Sequence, residues 1–243
     1  MDTEGSSKQI DEANEFIKAN KKLLFETFAS SEIYKPREKP ITLFMAGSPG
    51  AGKTEYSKAL VETAKEEANP IVRIDADEIR EIIPQYTGEN SDLVQRAAST
   101  GVHKLYDHCL KNKLDAIVDG TFANFEIAER NIERSLNRDR EVAIYYVYQD
   151  PLIAWDFTKK REKIEGRRIL RKVFVKAFFD ARVNVNKIKS IYKDQIKLYL
   201  VFKNYSNNTH KFYPKIENID KYIQDNYNKQ SLDKLLKNFY EEK

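Results

Sequence analysis

The 243-residue sequence predicts an α/β protein built on a five-stranded, mainly parallel sheet flanked by helices on both faces. Three observations carry this. Short apolar runs, of the kind that fill strands buried on both faces, recur along the chain. Segments of helical periodicity separate them. A glycine-rich turn joins the first run to the helix that follows it.

The elements can be justified in order. From Gln9 to Phe28, apolar residues such as Ile10, Ala13, Phe16, Ile17, Leu24 and Phe28 recur at helical spacing. SSEIYKPREKP (residues 30–40) ends that helix with its two prolines. ITLFMAG (41–47) is the first strand and residues 53–67 the helix after it. IVRID (71–75) is the second strand, and residues 91–112 form a long helix striped by Leu93, Ala97, Val102, Leu105 and Cys109. DAIVDGT (115–121) and EVAIYYVY (141–148) are strands separated by a helix over 124–137. Helices over 151–165 and 170–192 precede a last strand, IKLYLVF (196–202), and the tail from Lys215 reads as two short charged helices. This divides the chain into an N-terminal helical extension (1–38), a central domain (39–214) and C-terminal helices packed on it (215–243).

Composition narrows the function classes. Hydrophobic residues make up 41% of the chain, enough for a sizeable core, so a disordered protein is excluded. A net charge of +4 is too mild for binding nucleic acid by bulk electrostatics and suits an acidic small substrate. The single cysteine, Cys109, reads as a core thiol. No apolar run has the length of a membrane span, and the opening MDTEGSSKQ is too polar for a secretory signal, so a cytoplasmic location is expected.

Residues 47–54, Gly47, Ser48, Pro49, Gly50, Ala51, Gly52, Lys53 and Thr54, satisfy G-x-x-x-x-G-K-[ST] in full, between a strand and a helix as that motif requires. Glycines let the backbone curl until successive N–H groups point at phosphate oxygens, and the helix N-terminus adds its positive end. Lys53 is then the residue that reaches the β- and γ-phosphates of ATP or GTP, and Thr54 a ligand of Mg²⁺. The fold class becomes that of a P-loop NTPase or kinase. A guanine-reading N/T-K-x-D is absent from the late strand region, which reads FKNYSNN, so a kinase ranks ahead of a GTPase switch.

Two carboxylates, Asp75 and Asp77, follow the second strand at the edge of the sheet where ligands of open α/β folds bind. Asp77 fits either a general base for an attacking hydroxyl or the N-cap of a helix beginning at Glu78. Asp119 ends the third strand, where it either holds Mg²⁺ through water or caps a turn with Gly120. The run DFTKKREKIEGRRI (156–169) is placed to form a helical lid. Planar guanidinium groups there neutralise charge on a transferring phosphoryl group, and Arg161 and Arg167 are the candidates, with Arg168 and Arg171 behind them. Lys159, Lys160 and Lys163 read as a solvated face.

D-x-D-x-x-R-x-x-x-P-x-Y over residues 75–86, with the phosphate loop, resembles the zeta-toxin family of P-loop kinases. The best-known members phosphorylate the 3′-hydroxyl of UDP-N-acetylglucosamine. The resemblance spans about residues 40–205 and includes VDGT (118–121), the R…G-R spacing of the lid and VFVKAFFDARVNV (173–185). It implies that Asp77 is the base and Asp75 holds the turn. It also implies that Thr121 contacts substrate or nucleotide, and that an antitoxin protein belongs among the partners of such a chain. Arg80 and Tyr86 match the motif but read equally as an exposed helix residue and a packing aromatic. Two positions depart from the family. Phe122, Ala123 and Asn124 stand where an arginine contacts the sugar nucleotide, and His103 stands where relatives have a substrate-binding glutamate. Both bear on the acceptor, so kinases of a nucleoside, an antibiotic or a nucleic-acid end stay open beside the UDP-sugar, as does a nucleotide-dependent switch.

Overall fold

The computed structural model describes residues 3–166, 168–206 and 208–241. It opens with α1 (Thr3–Ala19) and α2 (Lys21–Ala29), followed by β1 (Ile41–Ala46), α3 (Lys53–Glu66), β2 (Val72–Asp75) and the short α4 (Ala76–Glu81). Next come α5 (Gln95–Lys111), β3 (Ala116–Asp119), α6 (Phe125–Leu136), β4 (Glu141–Tyr148), α7 (Pro151–Glu165) and α8 (Arg171–Tyr192). The chain continues with β5 (Ile196–Lys203), β6 (Thr209–Tyr213) and α9 (Lys229–Glu241).

The strands form one sheet in the order β2-β3-β1-β4-β5-β6, the first five parallel and β6 antiparallel to β5. The sixth strand departs from the expected five. THKFY is polar and almost entirely exposed, so it carries no buried apolar pattern to read. The N-terminal helix is also two helices. Asn20 turns its side-chain amide back onto the Phe16 carbonyl at 2.9 Å and breaks the run there. In the tail, the first of the two expected helices is a single 3₁₀ turn over Ile219–Lys221.

Alternation along the strands divides the interior into two layers. Phe44, Ala46, Ile144 and Leu198 meet α1, α5, α6 and α8 on one face. Met45, Ile117, Val147 and Val201 meet Tyr56, Leu60 and Val61 of α3 on the other. A third cluster, from Trp155, Phe174, Phe178 and Leu232, joins α7 and α8 to α9. Each fully buried side chain of this size contributes about 1.5–3 kcal/mol. Cys109 is a core thiol in the first layer, where burial pushes its pKa up to about 12. At the N-terminal edge of the sheet, buried Arg140 donates to Thr42 Oγ1 at 2.7 Å and to the Ile41 and Leu114 carbonyls, tying β1 to its neighbours.

Candidate active site

The phosphate loop runs from the end of β1 into α3. Gly47, Gly50 and Gly52 have φ of 134°, 70° and 88°, a region closed to most side chains. A Cβ on Gly47 would strike the Val147 carbonyl, and one on Gly50 the Ala154 carbonyl of α7. The loop is therefore wedged between the end of β4 and the lid helix, and only glycine lets it pass. Lys53 is buried and donates from Nζ to the Ser48 carbonyl at 2.6 Å, across its own loop.

Beyond this loop lies a cavity of about 320 Å³ at the C-terminal ends of β2 and β3. The sheet register places Asp75 and Asp119 side by side as the last residues of those strands. Pro49, Gly50, Gly52, Lys53 and Thr54 of the loop line it together with Asp75, Asp77, Arg80, Asp119 and Thr121. Arg161, on α7, reaches in from the lid. Gly47, Ser48 and Ala51 shape the loop without lining the cavity. Arg167 lies outside the described residues.

Asp75 is the N-cap of α4, its Oδ1 accepting from the Asp77 backbone N–H at 2.8 Å. The helix thus begins at Ala76 rather than Glu78, and the capping role falls to Asp75. Asp77 keeps its carboxylate for side chains. Its Oδ1 pairs with Arg80, and its Oδ2 meets Arg161 Nη2 at 3.4 Å. Arg80 is not an exposed helix residue. Only 2% of it is accessible, and it also donates to Gln95 Oε1.

Asp119 Oδ2 accepts from Ser57 Oγ at 2.7 Å and from Arg73 Nη2 at 2.7 Å. Arg73 also pairs with Asp75 and Glu78. Burial, then the neighbouring charge of Asp119, pushes the Asp75 carboxyl up to about 6 against the pull of Arg73. Burial alone would lower the Arg73 guanidinium, but Asp75 and Asp119 outweigh it and hold it above its ordinary value.

The residue types fit a nucleotide with magnesium. The glycine cradle leaves backbone room for phosphates, and Thr54 and Asp119 offer hard oxygens. Mg²⁺ keeps several waters and needs only one or two protein ligands beside substrate phosphates. Chemically, the arrangement can hold a polyphosphate at the loop, set a carboxylate opposite it and bring a guanidinium over the space between.

Other expectations fall elsewhere. His103 lies outside the cavity lining, near Asp107, Arg130 and Arg134, where burial and then Arg130 lower its pKa. Tyr86 packs against the core. Arg168 is exposed, and Arg171 pairs with Asp233 of α9 at 2.8 Å. Phe122 packs edge-on against Phe44, and Asn124 caps α6 through the Ile127 N–H. Neither supplies the cavity with what the family's arginine would. Lys160 is exposed, as expected of a solvated face, and also borders the cavity together with Gln95, Phe157, Thr158, Ile164 and Ile169. For Lys160 and its neighbours the signal was their lid position. Gln95 carried none, lying on a helix whose start is not marked by a capping side chain.

A family model described as Zeta toxin matches residues 26–217. Among curated proteins, none matches this chain by sequence. Solved structures similar in fold include one from the PezAT chromosomal toxin–antitoxin system of Streptococcus pneumoniae. It has a TM-score of 0.60 and 15% identity, with 96% of this chain and 95% of that one covered. A second is the AvrRxo1-ORF1:-ORF2 complex with ATP, with a TM-score of 0.59, 15% identity, and coverage of 89% and 70%. A third is the Pnkp1/Rnl/Hen1 RNA repair complex, at 0.51 and 16%, covering 74% of this chain and 50% of that one.

Proposed function

The chain belongs to the zeta toxin family of P-loop kinases, and from that premise we propose that it transfers the γ-phosphoryl group of ATP or GTP to a hydroxyl of a small molecule, with UDP-N-acetylglucosamine the first acceptor to test. The observation that carries this reading is that Asp77 and Arg161 line one cavity with Lys53 and Thr54.

In the proposed reaction the acceptor hydroxyl lies against Asp77, which orients it and takes its proton as the new O–P bond forms. The bond between the γ-phosphorus and the bridging oxygen breaks, and the nucleoside diphosphate leaves with that oxygen. Lys53 and Arg161 neutralise charge on the phosphates, and Arg167 is proposed as the second lid arginine from its place in the sequence. Thr54, and Asp119 through water, would hold Mg²⁺, which supplies further neutralisation of the phosphate charge when bound. A cytoplasmic location, where ATP and GTP are both at hand, is part of the same proposal. The PezAT neighbour is described as a toxin–antitoxin system, which supports an antitoxin protein as the partner proposed here.

The test is incubation of the purified chain with γ-labelled ATP or GTP and a panel of UDP-sugars, nucleosides, antibiotics and oligonucleotides, read by mass spectrometry. Labelled UDP-N-acetylglucosamine is the expected product. Label on another acceptor moves the assignment to that class, and hydrolysis with no transfer at all supports a switch instead. Lys53→Ala and Asp77→Ala should each leave the fold intact, and loss of a general base lowers turnover by about 10²–10⁴-fold. An Asp77→Ala variant with wild-type turnover overturns the role given to that carboxylate.

A further inference from the structure

Arg73 stands in the middle of β2, a strand buried along its whole length. An arginine in such a place must bring its own partners, and this one has four. It donates to Ser57 Oγ on α3 at 2.8 Å and to Asp119 on β3 at 2.7 Å, and it pairs with Asp75 and with Glu78 of α4. Its side chain is 6% exposed, and it does not itself line the cavity.

We propose that Arg73 is a positioning residue that fixes Asp119 for a divalent cation and Asp75 for the turn carrying Asp77, so that the metal side and the acceptor side of the cavity keep one register. This rests on the kinase reading above. Three arguments support it. The contacts are selective, because Arg73 and Ser57 share one oxygen of Asp119, Oδ2, and so fix how that carboxylate is turned. Asp75, held by the same guanidinium, caps α4 and thereby sets the backbone of Asp77.

The third argument is one of charge. Buried ion pairs return little net stability because desolvation consumes most of the attraction. Three carboxylates against one guanidinium is a poor device for stability alone. Two of the three, Asp75 and Asp119, line the phosphate-binding cavity, and their charge exceeds that of the one guanidinium, which favours a cation held there. Groups that orient metal ligands from behind typically govern affinity about 10–100-fold.

The experiment uses Mn²⁺ as the metal and adenylyl imidodiphosphate as the nucleotide, with metal binding read by electron paramagnetic resonance and folding by thermal melting. Arg73→Met should weaken Mn²⁺ binding to the nucleotide complex by about 10–100-fold while nucleotide affinity in EDTA stays as in wild type. Arg73→Lys should recover part of the loss, since it restores the charge without the planar fork. A folded Arg73→Met variant with wild-type Mn²⁺ affinity overturns the proposal. If Arg73→Met does not fold, Ser57→Ala decides: weakened Mn²⁺ binding supports the role, and unchanged binding removes it. A wild-type chain that binds no metal–nucleotide complex overturns the kinase reading itself, an outcome distinct from unaltered affinity in the variants.

Discussion

Asp77 is gripped on one oxygen by Arg80 and reached on the other by Arg161, so its orientation is set before any acceptor arrives. Arg80 is the fixed member of this trio, being buried against Gln95. Arg80→Lys keeps the charge but cannot serve Asp77 and Gln95 at once with a planar fork. Both acceptors reach solvent, so the loss should be that of an ordinary hydrogen bond, about 0.5–1.5 kcal/mol, read by urea unfolding of the variant. Turnover should fall more steeply than nucleotide affinity, because the carboxylate and not the phosphate loop is disturbed. A variant whose turnover and affinity fall together would argue against that separation. At this scale the sequence was readable where function is contiguous: GSPGAGKT declares its backbone shape and its chemistry within eight residues. Arg73 was not read, because Asp119 lies 46 positions away and no local pattern connects them. Its one signal was a charge inside the apolar run IVRID, at a place where burial without partners would be prohibitive.

Elements were most legible where their ends carry their own caps. Asp150 accepts from the Leu152 and Ile153 N–H groups, and Pro151 occupies the first helical position, so α7 begins and ends where its sequence says. The start of α5 lacks such a cap, and it begins four residues later than the periodicity suggests, at Gln95 rather than 91. The break at Asn20 was hidden because apolar spacing continues on both sides of it. One contact between elements has functional weight. Gly101 of α5 faces Ile79 of α4 so closely that an added Cβ would lie 2.6 Å from Ile79 Cγ2. Gly101→Ala gains about 1 kcal/mol of helix propensity, but overpacking costs about 1–3 kcal/mol, and the strain falls on the short helix that bears Asp77 and Arg80. Thermal stability should change little or decline modestly while turnover drops clearly. Full activity in Gly101→Ala would mean that α4 shifts without moving the site.

At the scale of the whole molecule, the sheet supplies the site with two strand ends and one glycine loop, and α7 borders it. The parallel part of the sheet was legible because each strand is an apolar run buried on two faces. The edge strand β6 was not, since an exposed strand need carry no such run. Cavity and lid together also dictate a schedule. The guanidinium proposed to neutralise the donor lies 3.4 Å from the carboxylate proposed to serve the acceptor. On the proposed reading, phosphate at the loop would offer Arg161 a stronger counter-charge and draw it off Asp77. The acceptor then meets a carboxylate relieved of one partner. Kinetically this would amount to compulsory order, with nucleotide entering first and the diphosphate product departing last. Product-inhibition patterns should show the diphosphate competing only with the nucleotide. Arg161→Ala, which removes the contact, should turn the order random as well as slow the enzyme, whereas random addition in the unaltered chain would refute the schedule. On that account the lid arginine acts as a turnstile, admitting the second substrate only after the first has been seated.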